Sequence, residues 1–263
     1  MLADDAAWEL LRHGHLEVRG RLVEASNATL LCSIEHEGVE AECVYKPVRG
    51  ERPLWDFPDG TLAGREVASC LLSEATGWGL VPPTLLREGP FGPGMLQLWV
   101  DVEEGSELVD LLPPAEVPDG WLPVLHAQDH HGNPVVLAHA DHERLQLLAA
   151  FDVVINNADR KGGHVLHTPQ GRVLGIDHGV SLNTDDKLRT VLWGWLGHAL
   201  PEEVVERLGD LRARLEGPLA QDLAAHITPK EVHAVTERID RLLADGAFPA
   251  PSGEWPAIPW PPF

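Results

Sequence analysis

The sequence predicts an α+β fold in two lobes, a sheet-rich one over residues 1–100 and a mainly helical one over 101–246, followed by a Pro/Trp-rich segment at 247–263. Three observations predict it. Short alternating apolar segments separated by Gly, Pro and Asn turns fill most of the first hundred residues, as the strands of an antiparallel sheet do. Beyond residue 140 the apolar positions recur at helical spacing. Between those helices lies a polar run, Asn156-Asn157-Ala158-Asp159-Arg160-Lys161-Gly162-Gly163-His164, and after it an apolar strand, Val173-Leu174-Gly175-Ile176, that ends on Asp177.

The elements follow in order. A short helix is expected over 6–12. Residues 16–23 alternate as a strand, turn through Glu24-Ala25-Ser26-Asn27-Ala28 and leave through 29–34. The strand 41–47 carries Lys46 at the end of its apolar alternation. Thr61 can cap a helix running to about Ala75 and stopped by Gly77, with Val67, Cys70 and Leu71 at helical spacing and Glu66 beside that face. Residues 51–60, with two aromatics and several charges, form an insertion that either packs locally as a lid or meets the substrate. Segments 80–86 and 95–100, on either side of a Gly/Pro turn, complete a sheet of about five strands. Residues 104–139, broken by prolines at 113, 114, 118, 123 and 134, are expected to be loops with short helices. The histidines here, His126, His130, His131, His139 and His142, match no zinc-ligand spacing and read as solvated. A helix opened by Asp141 buries Leu145, Leu148, Phe151 and Ile155 and delivers Asp159, with Gly162 and Gly163 letting the loop turn. A hairpin at Thr168-Pro169-Gln170-Gly171 then folds the strand bearing Asp177 back beside it. Trp193-Gly194-Trp195 is expected to anchor the polar segment 179–192, and helices follow over 201–216 and, behind the cap Thr228, over 229–245. Residues 247–263 cannot be helical and are expected to wrap the surface.

Two carboxylates in different settings suit chemistry on a phosphoryl group. One has to meet the attacking hydroxyl, and the other has to hold the divalent ion that neutralises the polyphosphate. Asp159-Arg160-Lys161-Gly162-Gly163-His164 resembles the D-R-H-x-x-N catalytic loop of phosphatidylinositol 3-/4-kinases and HipA-type kinases. Ile176-Asp177-His178-Gly179 falls where those kinases carry their metal-binding D-F-G-like motif. Over most of its length the chain looks like a mostly actinobacterial family distantly similar to those lipid kinases.

The resemblance implies a bilobal protein-kinase-like fold with ATP between the lobes. Asp159 then serves as the catalytic carboxylate, Arg160 holds the loop through a nearby carboxylate, and Lys161 contacts the γ-phosphate. Asp177 and His164 bind the metal. Ser26 and Asn27 lie in the phosphate loop, Lys46 holds the phosphates with Glu66 steadying it, and Trp99 and Val100 occupy the hinge that meets adenine. His164 stands where the related kinases have a metal-binding asparagine, and imidazole favours Mn2+ over Mg2+. The implied reaction is ATP- and metal-dependent transfer of the γ-phosphoryl to a hydroxyl of a soluble small molecule or protein. A nucleotide-binding pseudokinase and a nucleotidyl (AMP) transferase remain as rivals.

Composition narrows the partners. The net charge of -21 over 263 residues opposes nucleic acid and anionic membrane surfaces, so a lipid acceptor is disfavoured. No apolar run reaches the ~18 residues a membrane helix needs, and the acidic start Met1-Leu2-Ala3-Asp4-Asp5 resembles no leader; a cytoplasmic location is expected. Cys32, Cys43 and Cys70 stand apart in apolar surroundings and suggest neither zinc nor disulfides.

Overall fold

The computed structural model describes residues 4–22 and 27–263. Helix α1 (Asp4–His13) leads into β1 (His15–Arg21), β2 (Leu30–His36) and β3 (Val39–Pro47). After helix α2 (Leu62–Thr76) the sheet is completed by β4 (Thr84–Gly89) and β5 (Gly92–Leu98), in the order β1-β2-β3-β5-β4 and antiparallel throughout. The period of two along β3 decides what each face carries. Tyr45 points to the side covered by α1, where it is buried with Leu10, Leu11, Ile34 and Leu96. Lys46, opposite Met95 in the register, points to the side where Met95 packs against Ala63 and Val67 of α2. Cys32 and Cys43, far apart in sequence, are cross-strand partners on the α1 side; both are buried and free.

Helix α2 begins where Thr61 accepts a hydrogen bond from the Gly64 N–H and ends at Gly77 in the left-handed conformation, φ 72°. Although it lies between strands of the upper sheet in sequence, its Ala68, Cys70 and Leu72 join the main core with Leu148, Leu208 and Val235. The helices of that core are α3 (Glu143–Ile155), α4 (Glu202–Arg214), α5 (Pro218–Ala224) and α6 (Pro229–Asp245), the last started by a capping box of Thr228 and Glu231.

Residues 104–139 depart from the expectation of loops and short helices. They carry a three-stranded antiparallel sheet, β6 (Val109–Leu112), β7 (Trp121–Gln128) and β8 (Pro134–Ala140), ordered β6-β8-β7. The prolines are accommodated where a ladder does not need their N–H. Pro123 sits on the edge strand β7 at a register shift, and Pro134 is the first residue of β8. His139 is buried rather than solvated, its Nε2 accepting from the Gly194 N–H and its ring against Trp195. Next to α3, a two-stranded ribbon of β9 (Val165–His167) and β10 (Val173–Gly175) closes through a turn in which Thr168 Oγ1 accepts from the Arg172 N–H. No helix among the described residues is long and apolar enough to cross a membrane.

Candidate active site

Lys46 is the centre of the site. Its Nζ donates to Glu66 Oε1 at 2.7 Å and to Asp177 Oδ1 at 2.8 Å, so one ammonium ties β3 to α2 and to the residue after β10. Burial alone would depress this ammonium, but Asp177 and Glu66 outweigh it and hold Lys46 well above its ordinary range. Glu66 is sealed in; burial pushes its carboxyl up, while Lys46 and a hydrogen bond from the His178 N–H at 2.9 Å favour the ionised form. Lys46 beside it holds Asp177 below the usual carboxylate range against the cost of burial. The Asp177 side chain is nonetheless 50% exposed to the open cleft, so solvent screens part of that effect. Its backbone lies at φ 62°, a conformation that costs a non-glycine residue energy and aims the carboxylate into the cleft.

Asp159 enters from the other side, on the loop that follows α3. The helix ends at Asn156 in the left-handed conformation, and Asn157 Oδ1 accepts from the Asp159 N–H, which sets the loop. Burial raises the Asp159 carboxyl above its ordinary value, with Asp177 adding to the effect and Lys161 opposing it. Lys161 Nζ lies 3.9 Å from Asp159 Oδ2. His164 Nδ1 bonds the Asp159 carbonyl at 3.0 Å and therefore carries the proton, which leaves the Nε2 lone pair facing Asp177 Oδ2 at 3.4 Å. Burial pulls the imidazole down to about 4, so it is neutral at pH 7.

Arg160 is fully buried and is a positioning group rather than one that touches substrate. It chelates Asp152 through Nε and a terminal nitrogen, and donates to the carbonyls of His164 and Ile176 and to His178 Nε2. It thus fastens the loop of Asp159 to the strand end that bears Asp177. Gly162 and Gly163 do not serve as a left-handed turn, since neither has positive φ. Gly162 instead makes room: a Cβ there would lie 2.0 Å from the Phe263 ring.

The remaining residues expected at the site divide. Asn27 lines a small cavity of about 80 Å3 together with Lys46, Glu66, Asp159 and Asp177, but its Oδ1 is engaged by the Arg52 N–H. Ser26 lies outside the described residues. Trp99 and Val100 line a cavity of about 550 Å3 between the sheet and β10, with Ala41, Leu98 and Leu174. The Trp99 N–H is spent on the Glu42 carbonyl.

Several residues of the site escaped sequence reasoning. Arg65, the neighbour of Glu66, is buried and donates to Ser181 O, Asp59 O and Glu231 Oε1, at 2.8, 3.0 and 2.5 Å. Glu51 caps α2 by accepting from the Leu62 and Ala63 N–H groups. The insertion 51–60 packs against the segment that follows Asp177 and against Trp255. Its Phe57 is buried, while Trp55 is 82% exposed and stands over Lys187, whose Nζ bonds Asp56 at 3.1 Å and lies 3.6 Å from the Trp255 ring centre. Asp152, the carboxylate that Arg160 chelates, was missed as well; the signal that could have found it is a lone carboxylate inside the apolar run Phe151 to Ile155.

The fold is kinase-like. Among solved structures, the golgi casein kinase superposes with a TM-score of 0.52 over 92% of this chain and 73% of that one, at 12% identity. The Helicobacter pylori proinflammatory kinase CtkA gives 0.46, over 89% of this chain and 94% of that one at 11% identity, and Shewanella oneidensis HipA 0.40, over 87% and 65% at 15%. No family model matches the chain. The chain belongs to the family of Protein Rv2133c of Mycobacterium tuberculosis, to which it is 50% identical over 272 residues, covering 100% of this chain and 98% of that actinobacterial relative.

Proposed function

We propose that the protein is an ATP- and divalent-metal-dependent phosphotransferase that moves the γ-phosphoryl to a hydroxyl. The observation that carries this reading is the single ammonium of Lys46 shared between Glu66 and Asp177, with Asp159 lining the same cavity and His164 Nε2 3.4 Å from the Asp177 carboxylate. A structural ion pair has no use for the two further groups.

The residues fit both ligands. The larger cavity offers apolar walls to a purine beside the backbone of Val100. For the metal, His164 Nε2 and Asp177 Oδ2 supply two ligands, and no group of three or more ligating side chains occurs among the described residues. That suits an ion completed by phosphate oxygens and water rather than a resident one. When bound, such an ion neutralises charge on the transferring phosphoryl group. Three carboxylates, Glu66, Asp159 and Asp177, face two ammonium groups, Lys46 and Lys161, so a polyphosphate is accepted only with its cation. Lys46 grips the phosphates, Asp159 orients the acceptor hydroxyl and takes its proton, and Arg160 fixes the spacing between the two acidic residues.

One observation favours a second reading, a nucleotide-binding module without turnover: His164 in the place of asparagine. A thermal-shift titration of ATP, ADP and GTP, each with Mg2+ or Mn2+, on wild type and Asp177→Ala separates the outcomes. A ligand at a hundred times its Kd stabilises the fold by about 2.7 kcal/mol. A metal-dependent ATP shift lost in Asp177→Ala supports the site, and product analysis then tells phosphoryl from AMP transfer. The absence of any shift with every nucleotide and metal refutes the proposal.

A further inference from the structure

We propose that the segment 255–263 is the acceptor-side wall of this active site, and that it restricts the acceptor to small hydroxyl compounds and shuts out polypeptides. The inference rests on the phosphotransferase reading. In that reaction the acceptor O–H gives its proton to Asp159, its oxygen bonds the γ-phosphorus, and the bond from that phosphorus to the β,γ-bridging oxygen breaks, releasing ADP. The hydroxyl therefore has to come within about 2.6–3.2 Å of the Asp159 carboxylate.

A polypeptide brings a side-chain hydroxyl there by lying extended along the outer face of the loop and pairing with exposed backbone donors. Two such donors flank the site, and this chain already fills both. The Gly162 N–H donates to the Pro262 carbonyl at 2.8 Å, and the Thr190 N–H donates to the Ala257 carbonyl at 3.1 Å, which also accepts from Trp193 Nε1 at 2.8 Å. The neighbouring N–H groups of Arg189 and Val191 are spent on Asn157 O and Arg160 O. Over Gly162 lies the ring of Phe263, in the space a side chain would need.

The segment is fastened along its length. Trp255 covers the Lys187 ammonium, Ile258 packs against the main core, and Pro259 and Pro262 are buried. Several anchors of different kinds make it part of the wall and not a loosely laid strand. What remains open to Asp159 is the cleft shared with Lys46 and Asp177.

The test labels two acceptor pools with γ-32P-ATP and Mn2+ or Mg2+: one of small polyols, monosaccharides, amino alcohols and nucleosides, the other a degenerate Ser/Thr/Tyr peptide library. The wild type is compared with a variant in which 256–263 is replaced by a Gly-Ser segment of equal length. Phe263→Ala, which removes only the ring over Gly162, substitutes for it if that variant does not fold. Labelling of small compounds and not of peptides by wild type is expected. Peptide labelling by wild type overturns the wall and leaves the phosphotransferase reading intact. Peptide labelling that appears only when the wall is removed, with no small acceptor for wild type, makes the segment a removable plug and overturns the small-acceptor assignment. Nucleotide binding without labelling of either pool, in wild type and variant alike, overturns the phosphotransferase reading itself.

Discussion

Removing the Asp152 carboxylate should be among the most damaging single changes in this protein. The pair with Arg160 is fully buried on both sides, and the carboxylate also accepts from Asn157 Nδ2 at 3.0 Å and Thr190 Oγ1 at 3.3 Å. In Asp152→Ala the guanidinium keeps its bonds to the carbonyls of His164 and Ile176 but loses its counterion. Breaking a buried pair in this way costs about 3–5 kcal/mol, since a charge is left uncompensated in a poorly polarisable interior. Against a total stability of about 5–15 kcal/mol that is a large share, and at roughly 2–4 °C per kcal/mol for a chain of this size the Tm falls by about 6–20 °C. Urea unfolding followed by tryptophan fluorescence measures it. Asp152→Asn, which keeps the shape and one acceptor, should lose less, and the difference isolates the charge. If Asp152→Ala shifts the free energy by less than about 1 kcal/mol, the claim that this pair fastens the loop of Asp159 is wrong.

Four further outcomes follow from the same geometry. Asp159→Asn should lower turnover by about 10^2–10^4-fold while the ATP-induced thermal shift persists; an unchanged rate removes Asp159 from the chemistry. Lys46→Met should abolish that shift and cost about 1–3 kcal/mol, because Glu66 is left buried without its cation; a retained shift refutes the grip on the phosphates. Gly162→Ala should cost about 1–3 kcal/mol through collision with the Phe263 ring, and Phe263→Ala in the same chain should recover most of it. Acid should destabilise the protein. Burial holds His139, His164 and His178 below their ordinary values, so the unfolded chain binds protons that the folded one refuses. Stability from each is present above about pH 6.5 and is lost on acidification by up to ~1.4 kcal/mol per pH unit, His164 ceasing to contribute below about 4. A urea midpoint that stays flat from pH 7 to pH 5 contradicts this.

Much of the site could be read from local periodicity. Lys46 faces the cleft because β3 alternates, Glu66 faces it because α2 repeats every 3.6 residues, and Asp159 and Asp177 stand at the ends of apolar elements whose direction is fixed by burial. What stayed hidden depends on partners remote in sequence. Arg65 reads as an ordinary helical arginine until residues 59, 181 and 231 surround it. The prolines of 104–139 suppress every strand signal, and only the placement of Pro123 at an edge reconciles them with a sheet. Of the five histidines from His126 to His142, which match no zinc-ligand spacing, the sequence does not tell that His139 lies inside the core. For 247–263 the prolines forbid a helix and say nothing of where the chain goes; its destination is set by Gly162, Thr190 and Trp193.

Helix α2 has a mechanical allegiance opposite to its place in the sequence. Its buried face is shared with α3, α4 and α6, Gly64 is pressed so close to the His226 carbonyl that a Cβ would lie 2.7 Å from it, and Arg65 is bonded to Glu231. Glu66 is therefore held to the helical core, and of the three groups in the Lys46 contacts the ammonium alone is carried by the five-stranded sheet. Rocking of that sheet would make and break both contacts of Lys46 together, so the ammonium acts as a gauge of cleft opening. Glu66 would stay fastened to the strand end that bears Asp177 through the hydrogen bond it accepts from the His178 N–H.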